Sequence, residues 1–180
     1  KQDTLSPEQR QTSIMQLAKD YVDCALYDRA EALLLPLTKE NDFSYEACTI
    51  LSQIYQVFRD WQQAYDILKD IKSQDDDSLD NTRAYLLCEL AEKKESEDAK
   101  ALLLKALSYD KSCARAYFDL IDLCLADNAT EQAQSYACQL CSHTHDYIPL
   151  LVPKLDAIYP DKEAQFDYLT KVNAKCPSSA

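Results

Sequence analysis

The chain repeats itself at an offset of 34 residues. Leu17, Ala18 and Tyr21, followed by Tyr27, Ala30, Leu34 and Leu37, reappear as Leu51, Ser52 and Tyr55, followed by Trp61, Ala64, Leu68 and Ile71. Apolar side chains at three- and four-residue steps lay a stripe along each of two successive helices. A helix pair with one apolar face cannot bury that face alone, so such pairs stack on their neighbours.

This period, with small residues at the eighth and twentieth places, is the tetratricopeptide pattern. It predicts an all-α fold: a tetratricopeptide-repeat right-handed superhelix of about four repeats plus a closing C-terminal helix pair. The expected repeats are 7–42, 43–76, 79–111, 112–146 and 147–176, forming a single array over 1–180. The first helix has a readable start. Ser6 can cap it, Pro7 suits the first helical position, and Gln9 stands where it can return the cap's hydrogen bond. Helix A of the first pair is expected from Pro7 to Val22 or Cys24, and helix B from Tyr27 to about Lys39. The second pair should run from Ser44 to Phe58 and from Trp61 to Lys72.

Composition narrows the chemistry. The chain contains no glycine, which excludes Walker-type loops and Gly-rich dinucleotide turns, where backbone must approach a phosphate without an intervening Cβ. Helix ends must then use the next best left-handed residue, and Asn41, Asn81 and Asn128 stand near expected boundaries. A net charge of −12 repels phosphate backbones and anionic headgroups. No apolar run approaches the roughly 20 residues that span a bilayer. The start, Lys1-Gln2-Asp3-Thr4, shows no signal region and no Met, so the chain reads as an excised fragment. Its eight cysteines scatter over semi-buried repeat positions such as Cys48 and Cys124. That scatter fits reduced thiols in a cytosol-facing chain better than a disulfide framework.

Farther along, Gln74 to Ser78 reads as a solvated acidic linker. The third pair is out of step, because Ala99 follows Ala91 by eight residues instead of twelve. This implies a helical turn lost around Lys93-Lys94-Glu95-Ser96. The fourth pair is regular, with Tyr117, Leu120, Ile121 and Cys124 answered by Ala133, Ala137 and Leu140. Two short stretches close the chain, about Pro149 to Tyr159 and Asp161 to Ala174. Either the first begins at Pro153, or it begins at Pro149 and bends where Pro153 removes a hydrogen bond.

Longer runs carry a closer likeness. Ser13-Ile14-Met15-Gln16-Leu17-Ala18-Lys19-Asp20-Tyr21, then Ala25-Leu26-Tyr27-Asp28-Arg29-Ala30-Glu31, Gln53-Ile54-Tyr55-Gln56, Trp61-Gln62-Gln63-Ala64, Cys88-Glu89-Leu90-Ala91 and Asp110-Lys111-Ser112-Cys113-Ala114-Arg115 stand in an order that resembles the lipopolysaccharide assembly protein B family. The likeness runs from about Leu5 to Lys171 and is weakest after Tyr147. It implies an adaptor tethered by one amino-terminal helix to the cytoplasmic face of the bacterial inner membrane. That adaptor presents the deacetylase of early lipid A synthesis to a membrane-bound ATP-dependent protease, alongside other lipopolysaccharide-assembly proteins. The family's anchor and its terminal rubredoxin-like metal domain would lie outside these residues, the metal site beyond Ala180. No cofactor is expected in this chain.

Cys138, Cys141, His143 and His145 form the ligand set of a tetrahedral zinc site, but their spacing lacks two separated ligand pairs. They read instead as packing plus a polar helix end. The sequence has no Gly-x-Ser-x-Gly elbow, and Asp119 and Asp122 on one helix face read as solvated charge. No catalytic residue is assigned, and the chain is expected not to be an enzyme. Tyr21, Tyr55 and Tyr117 read as wedges between helices.

Binding falls to the inward side of the A helices, at the fifth, ninth, twelfth and thirteenth repeat places. These are Met15, Lys19, Val22 and Asp23 in the first pair, and Thr49, Gln53, Gln56 and Val57 in the second. In the fourth pair Arg115, at the second place, joins Phe118, Asp122 and Leu125. Their mixed character suits a reversible protein contact. The expected function is a protein–protein scaffold, with no nucleic acid and no membrane insertion. The alternative is an assembly protein acting by self-association, for instance as a homodimer.

Overall fold

A computed structural model describes residues 6–40, 42–72, 77–143 and 147–175, all of it helices and the turns joining them, with no strand among the described residues. The chain divides into two compact units, Lys1–Leu79 and Asp80–Ala180. The first holds α1 (Pro7–Asp23), α2 (Tyr27–Leu37), α3 (Ser44–Val57), α4 (Trp61–Leu68) and the opening of α5 (Asp77–Ala91). The second holds the rest of α5, then α6 (Ser96–Tyr109), α7 (Ala114–Ala126) and α8 (Thr130–His143). It closes with α9 (Ile148–Leu151), a 3-10 turn (Val152–Lys154), α10 (Leu155–Ile158) and α11 (Lys162–Lys175). The all-α tetratricopeptide architecture is therefore present as consecutive helix hairpins.

In the first unit the local chemistry is explicit. Ser6 Oγ accepts from the Gln9 amide at 3.1 Å, and Gln9 Oε1 accepts from the Ser6 amide at 3.0 Å, closing the expected capping box. Asp60 caps α4 with its side chain alone, accepting from the Gln63 backbone amide at 3.1 Å and from Gln63 Nε2 at 2.7 Å. Within the second hairpin, Ser52 at the eighth place donates to the Ala64 carbonyl at the twentieth, 3.0 Å away. The small residues thus bring the helices close enough for a short side chain on one to bond the backbone of the other. Ala30, Ala64, Ala99 and Ala133 occupy the twentieth place of the four hairpins, and all are buried.

The third hairpin has lost no turn. In the other three, helix B begins nine residues after the eighth position, at Tyr27, Trp61 and Thr130 counted from Ala18, Ser52 and Ile121. Nine residues before Ser96 stands Leu87, fully buried. The eighth place is therefore Leu87 rather than Ala91, and the apparent deletion came from looking for a small residue where the second unit carries leucine and isoleucine. Leu87 and Ile121 are 34 residues apart, as Ala18 and Ser52 are.

Of the asparagines expected at left-handed helix ends, Asn128 takes that role and Asn81 does not. Ala25, Arg59 and Asn128 adopt φ near 57°, while Asn81 lies inside α5 and Asn41 falls outside the described residues. At each left-handed residue the next amide bonds five residues back: Leu26 to Tyr21, Asp60 to Tyr55 and Ala129 to Cys124. The left-handed residue itself bonds three back. These are Schellman closures, and two of them place an ordinary side chain where glycine is favoured. The α5–α6 turn has no such residue. It ends α5 one residue early and spends four residues, Glu92 to Glu95, where the others use three.

Asp77 and Ser78, expected in the linker, open α5, and residues 73–76 lie outside the description. At the carboxyl end the helix begins at Ile148 and tightens to 3-10 geometry at Val152–Lys154, where Pro153 has no amide to donate. This is the second of the two alternatives. Leu151, Leu155 and Ile158 bury against Tyr117, Ile121 and Leu140, so the closing helices complete the core of the second unit. Among the described residues no helix is long and apolar enough to cross a membrane.

Candidate functional site

The first unit carries an open groove of about 600 Å³ between α1 and α3. Five residues assigned to the binding face line it: Lys19, Val22 and Asp23 from α1, Thr49 and Gln53 from α3. They converge because each sits on the inward side of an A helix, one turn apart, where i and i+4 side chains align. Gln16, Tyr45, Glu46 and Ile50 complete the lining. They flank the assigned positions by three or four residues, so helical spacing alone would have found them. Lys19 Nζ reaches Glu46 Oε1 across the groove at 2.5 Å, with both side chains half exposed. An exposed pair of this kind contributes little to stability, so a partner can displace it at small cost. Thr49 turns its hydroxyl back to the Tyr45 carbonyl at 2.8 Å.

Three assigned residues of this unit do not line that groove. Met15 is only 3% exposed and serves the core. Gln56 donates to Ser52 Oγ at 3.3 Å, bracing the hairpin. Val57 is exposed beside Phe58, whose ring meets Tyr27 edge-on at 5.6 Å.

In the second unit the assigned residues are tied into the protein itself. Arg115 places Nη1 on Glu89 Oε1 at 2.5 Å, pairs with Glu92 through Nη2, and lies 5.5 Å over the Tyr85 ring. Its Nε stands 3.9 Å from Asp119. Phe118 and Leu125 pack against the core, and Asp122 pairs with Lys154. A cavity of about 310 Å³ opens here, with Ala91, Ala99, Leu103 and Leu123 on its apolar floor and Glu92, Lys94, Asp119 and Asp122 around it. Of the four assigned residues only Asp122 lines it. Burial pushes the Asp119 carboxyl above the usual range, against the pull of Arg115.

The cysteine–histidine segment is occupied by contacts of its own. Cys141 Sγ lies 2.8 Å from the Tyr168 hydroxyl and Cys138 Sγ 3.6 Å from that of Tyr159, the two rings being stacked at 4.7 Å. His143 stacks on Tyr117 with centroids 6.4 Å apart, and His145 falls outside the described residues. Among those residues no cluster of three or more His, Cys, Asp or Glu is arranged to hold a metal.

No family model matches the chain. Lipopolysaccharide assembly protein B of Escherichia coli (strain K12) is 39% identical over 116 residues, covering 62% of this chain and 30% of that protein. The protein of the same name from Haemophilus influenzae is 31% identical over 160 residues, covering 86% of this chain and 40% of its own length. The chain thus spans 30–40% of the curated relatives it matches. Among solved structures, PilW, a widely conserved type IV pilus biogenesis factor, aligns over 95% of this chain and 96% of its own at a TM-score of 0.41 and 18% identity.

Proposed function

We propose that this homologue of part of lipopolysaccharide assembly protein B is a non-enzymatic scaffold whose α1–α3 groove holds a protein partner during lipopolysaccharide assembly. The observation that carries the reading is the groove itself. It is solvent-open, its two walls come from successive A helices, and its lining mixes amide, hydroxyl, charged and apolar groups. That mixture suits a reversible protein interface better than a small-molecule site, which encloses most of its ligand.

The finer reading extends the family likeness. The partner is the deacetylase of early lipid A synthesis, and the scaffold acts as an adaptor that presents it to a membrane-bound ATP-dependent protease at the cytoplasmic face of the inner membrane. Cofactors play no part in this chain's share of the work. The test is the half-life of the deacetylase in cells relying on a full-length protein that carries Lys19→Glu, Asp23→Lys and Gln53→Glu together. A lengthened half-life with unchanged adaptor abundance supports the reading. An unchanged half-life removes the groove from it. Light scattering of the purified chain separates the alternative, because a discrete dimer that persists on dilution and is abolished by the same substitutions would assign the groove to self-association.

A further inference from the structure

Cys88 and Cys113 lie outside both the groove and the cysteine–histidine segment, yet their sulfurs approach to 4.0 Å. Cys88 sits in the last turn of α5 and is fully buried, while Cys113 is half-buried at the N-cap of α7. Two free thiols in van der Waals contact are about 2 Å from the separation of a disulfide. The segment that must move is short. Cys113 follows a turn fixed by Asp110, which accepts from the Ser112 amide at 2.7 Å and from its hydroxyl at 2.6 Å.

We propose that Cys88 and Cys113 form a peroxide-reactive dithiol that closes to a reversible disulfide, stapling α5 to the start of α7. The two sulfurs are unlike. The contact with Cys88, together with the Ala116 amide at the α7 N-terminus, holds the Cys113 thiol below its ordinary range, while the same contact and burial push Cys88 up. Cys113 is therefore the attacking thiolate and Cys88 the resolving thiol. The Cys113 sulfur attacks a hydroperoxide oxygen, the O–O bond breaks, and the leaving oxygen departs as water or alcohol with a proton from solvent. Cys113 is left as sulfenic acid. Cys88 sulfur then attacks Cys113 sulfur, the S–O bond breaks, and hydroxide leaves with the Cys88 proton as water. The dithiol loses two electrons and two protons, and the hydroperoxide is reduced.

The bridge would join positions adjacent to the Arg115 cluster, since Glu89 follows Cys88 and Arg115 lies two residues after Cys113. Closure locks that ion-pair network. In a reducing compartment the bridge would be transient and reopened by thiols.

The experiment treats the purified chain with hydrogen peroxide at equimolar dose, blocks free thiols, and maps non-reduced peptides by mass spectrometry. The expected result is a Cys88–Cys113 peptide pair formed ahead of oxidation at the exposed Cys24 and Cys138, reversed by dithiothreitol, with a raised thermal midpoint in the oxidised form. In Cys88→Ala the sulfenic acid should persist at Cys113 and be trapped by dimedone, giving a readout that needs no bridge. Circular dichroism checks that this variant is folded, and should it be unfolded the wild-type peptide map decides alone. Oxidation appearing first at Cys24 or Cys138 with Cys88 and Cys113 still alkylatable overturns the proposal, as does a bridge from either residue to any other cysteine.

Discussion

Tyr55 donates its phenol hydrogen to Glu31 Oε1 at 2.8 Å, joining α3 to the second helix of the preceding hairpin. It is a polar link between consecutive hairpins of the first unit, and it lies where apolar packing is also tight: Tyr55 is buried, and burial together with Glu31 pushes its pKa up to about 12. Tyr55→Phe removes a bond to a carboxylate that water can partly replace, and should lower unfolding free energy by about 1 kcal/mol in urea titrations. The pH dependence has a definite sign. The unfolded phenol ionises near 10 and the folded one near 12, so the folded state binds the proton more tightly. The contribution is complete below about pH 10 and is lost as pH rises toward 12. The difference between wild type and Tyr55→Phe should shrink over that window, which isolates Tyr55 from the other tyrosines.

Ala25 and Arg59 hold φ near 57° without the freedom of glycine. Ala25→Gly and Arg59→Gly should each stabilise the chain by up to about 1 kcal/mol, the relief of left-handed strain exceeding the added entropy of the unfolded chain. Ala25→Val should destabilise by a similar or larger amount. Thermal unfolding of the three variants checks the ordering, and a loss of stability on Ala25→Gly would contradict the strain argument.

Ala64 is fully buried against α3, with its carbonyl engaged by Ser52. Ala64→Leu forces the helices of the second hairpin apart and should cost about 2 kcal/mol through overpacking. Ser52→Ala, which leaves the helix spacing unchanged, should cost nearer 1 kcal/mol. Chemical denaturation of both variants distinguishes lost spacing from a lost bond.

Arg115 serves Glu89 and Glu92 together while lying over Tyr85. Arg115→Ala should destabilise by about 2 kcal/mol, because the poorly exposed Glu89 carboxylate loses its cation. Arg115→Lys should recover less than half of this, since an ammonium cannot reproduce the planar fork. Urea unfolding at neutral pH measures both.

The hairpins of the first unit could be read from the chain because small residues mark both the eighth and twentieth places. In the second unit only the alanines of the twentieth place carry the mark. Leu87 and Ile121 fill the other with bulk, so a small-residue pattern sets the phase of α5 four residues late, at Ala91. Turn chemistry misled in a different way. Asparagine is the best non-glycine residue for a left-handed cap, yet Asn81 is helical and Ala25 and Arg59 take the strained role, because two backbone hydrogen bonds per turn outweigh a side-chain preference. On the binding face, helical periodicity placed five residues in the groove, while Met15, on the same helix as three of them, is buried in the core. Periodicity fixes a face only to within about one residue. Arg115 is tied up for an electrostatic reason: two of its acidic partners lie 23 and 26 residues upstream, a pairing that helical phase does not encode.

The constant nine-residue interval between the eighth position and the next helix makes each hairpin an interchangeable module. The interval lies inside a hairpin, so a residue inserted between its two helices alters their crossing, whereas the stretches between hairpins already differ in length, six residues at 38–43 and four at 110–113, without altering it. An engineer could exploit the same property by grafting a hairpin from elsewhere, provided the crossing alanine is kept.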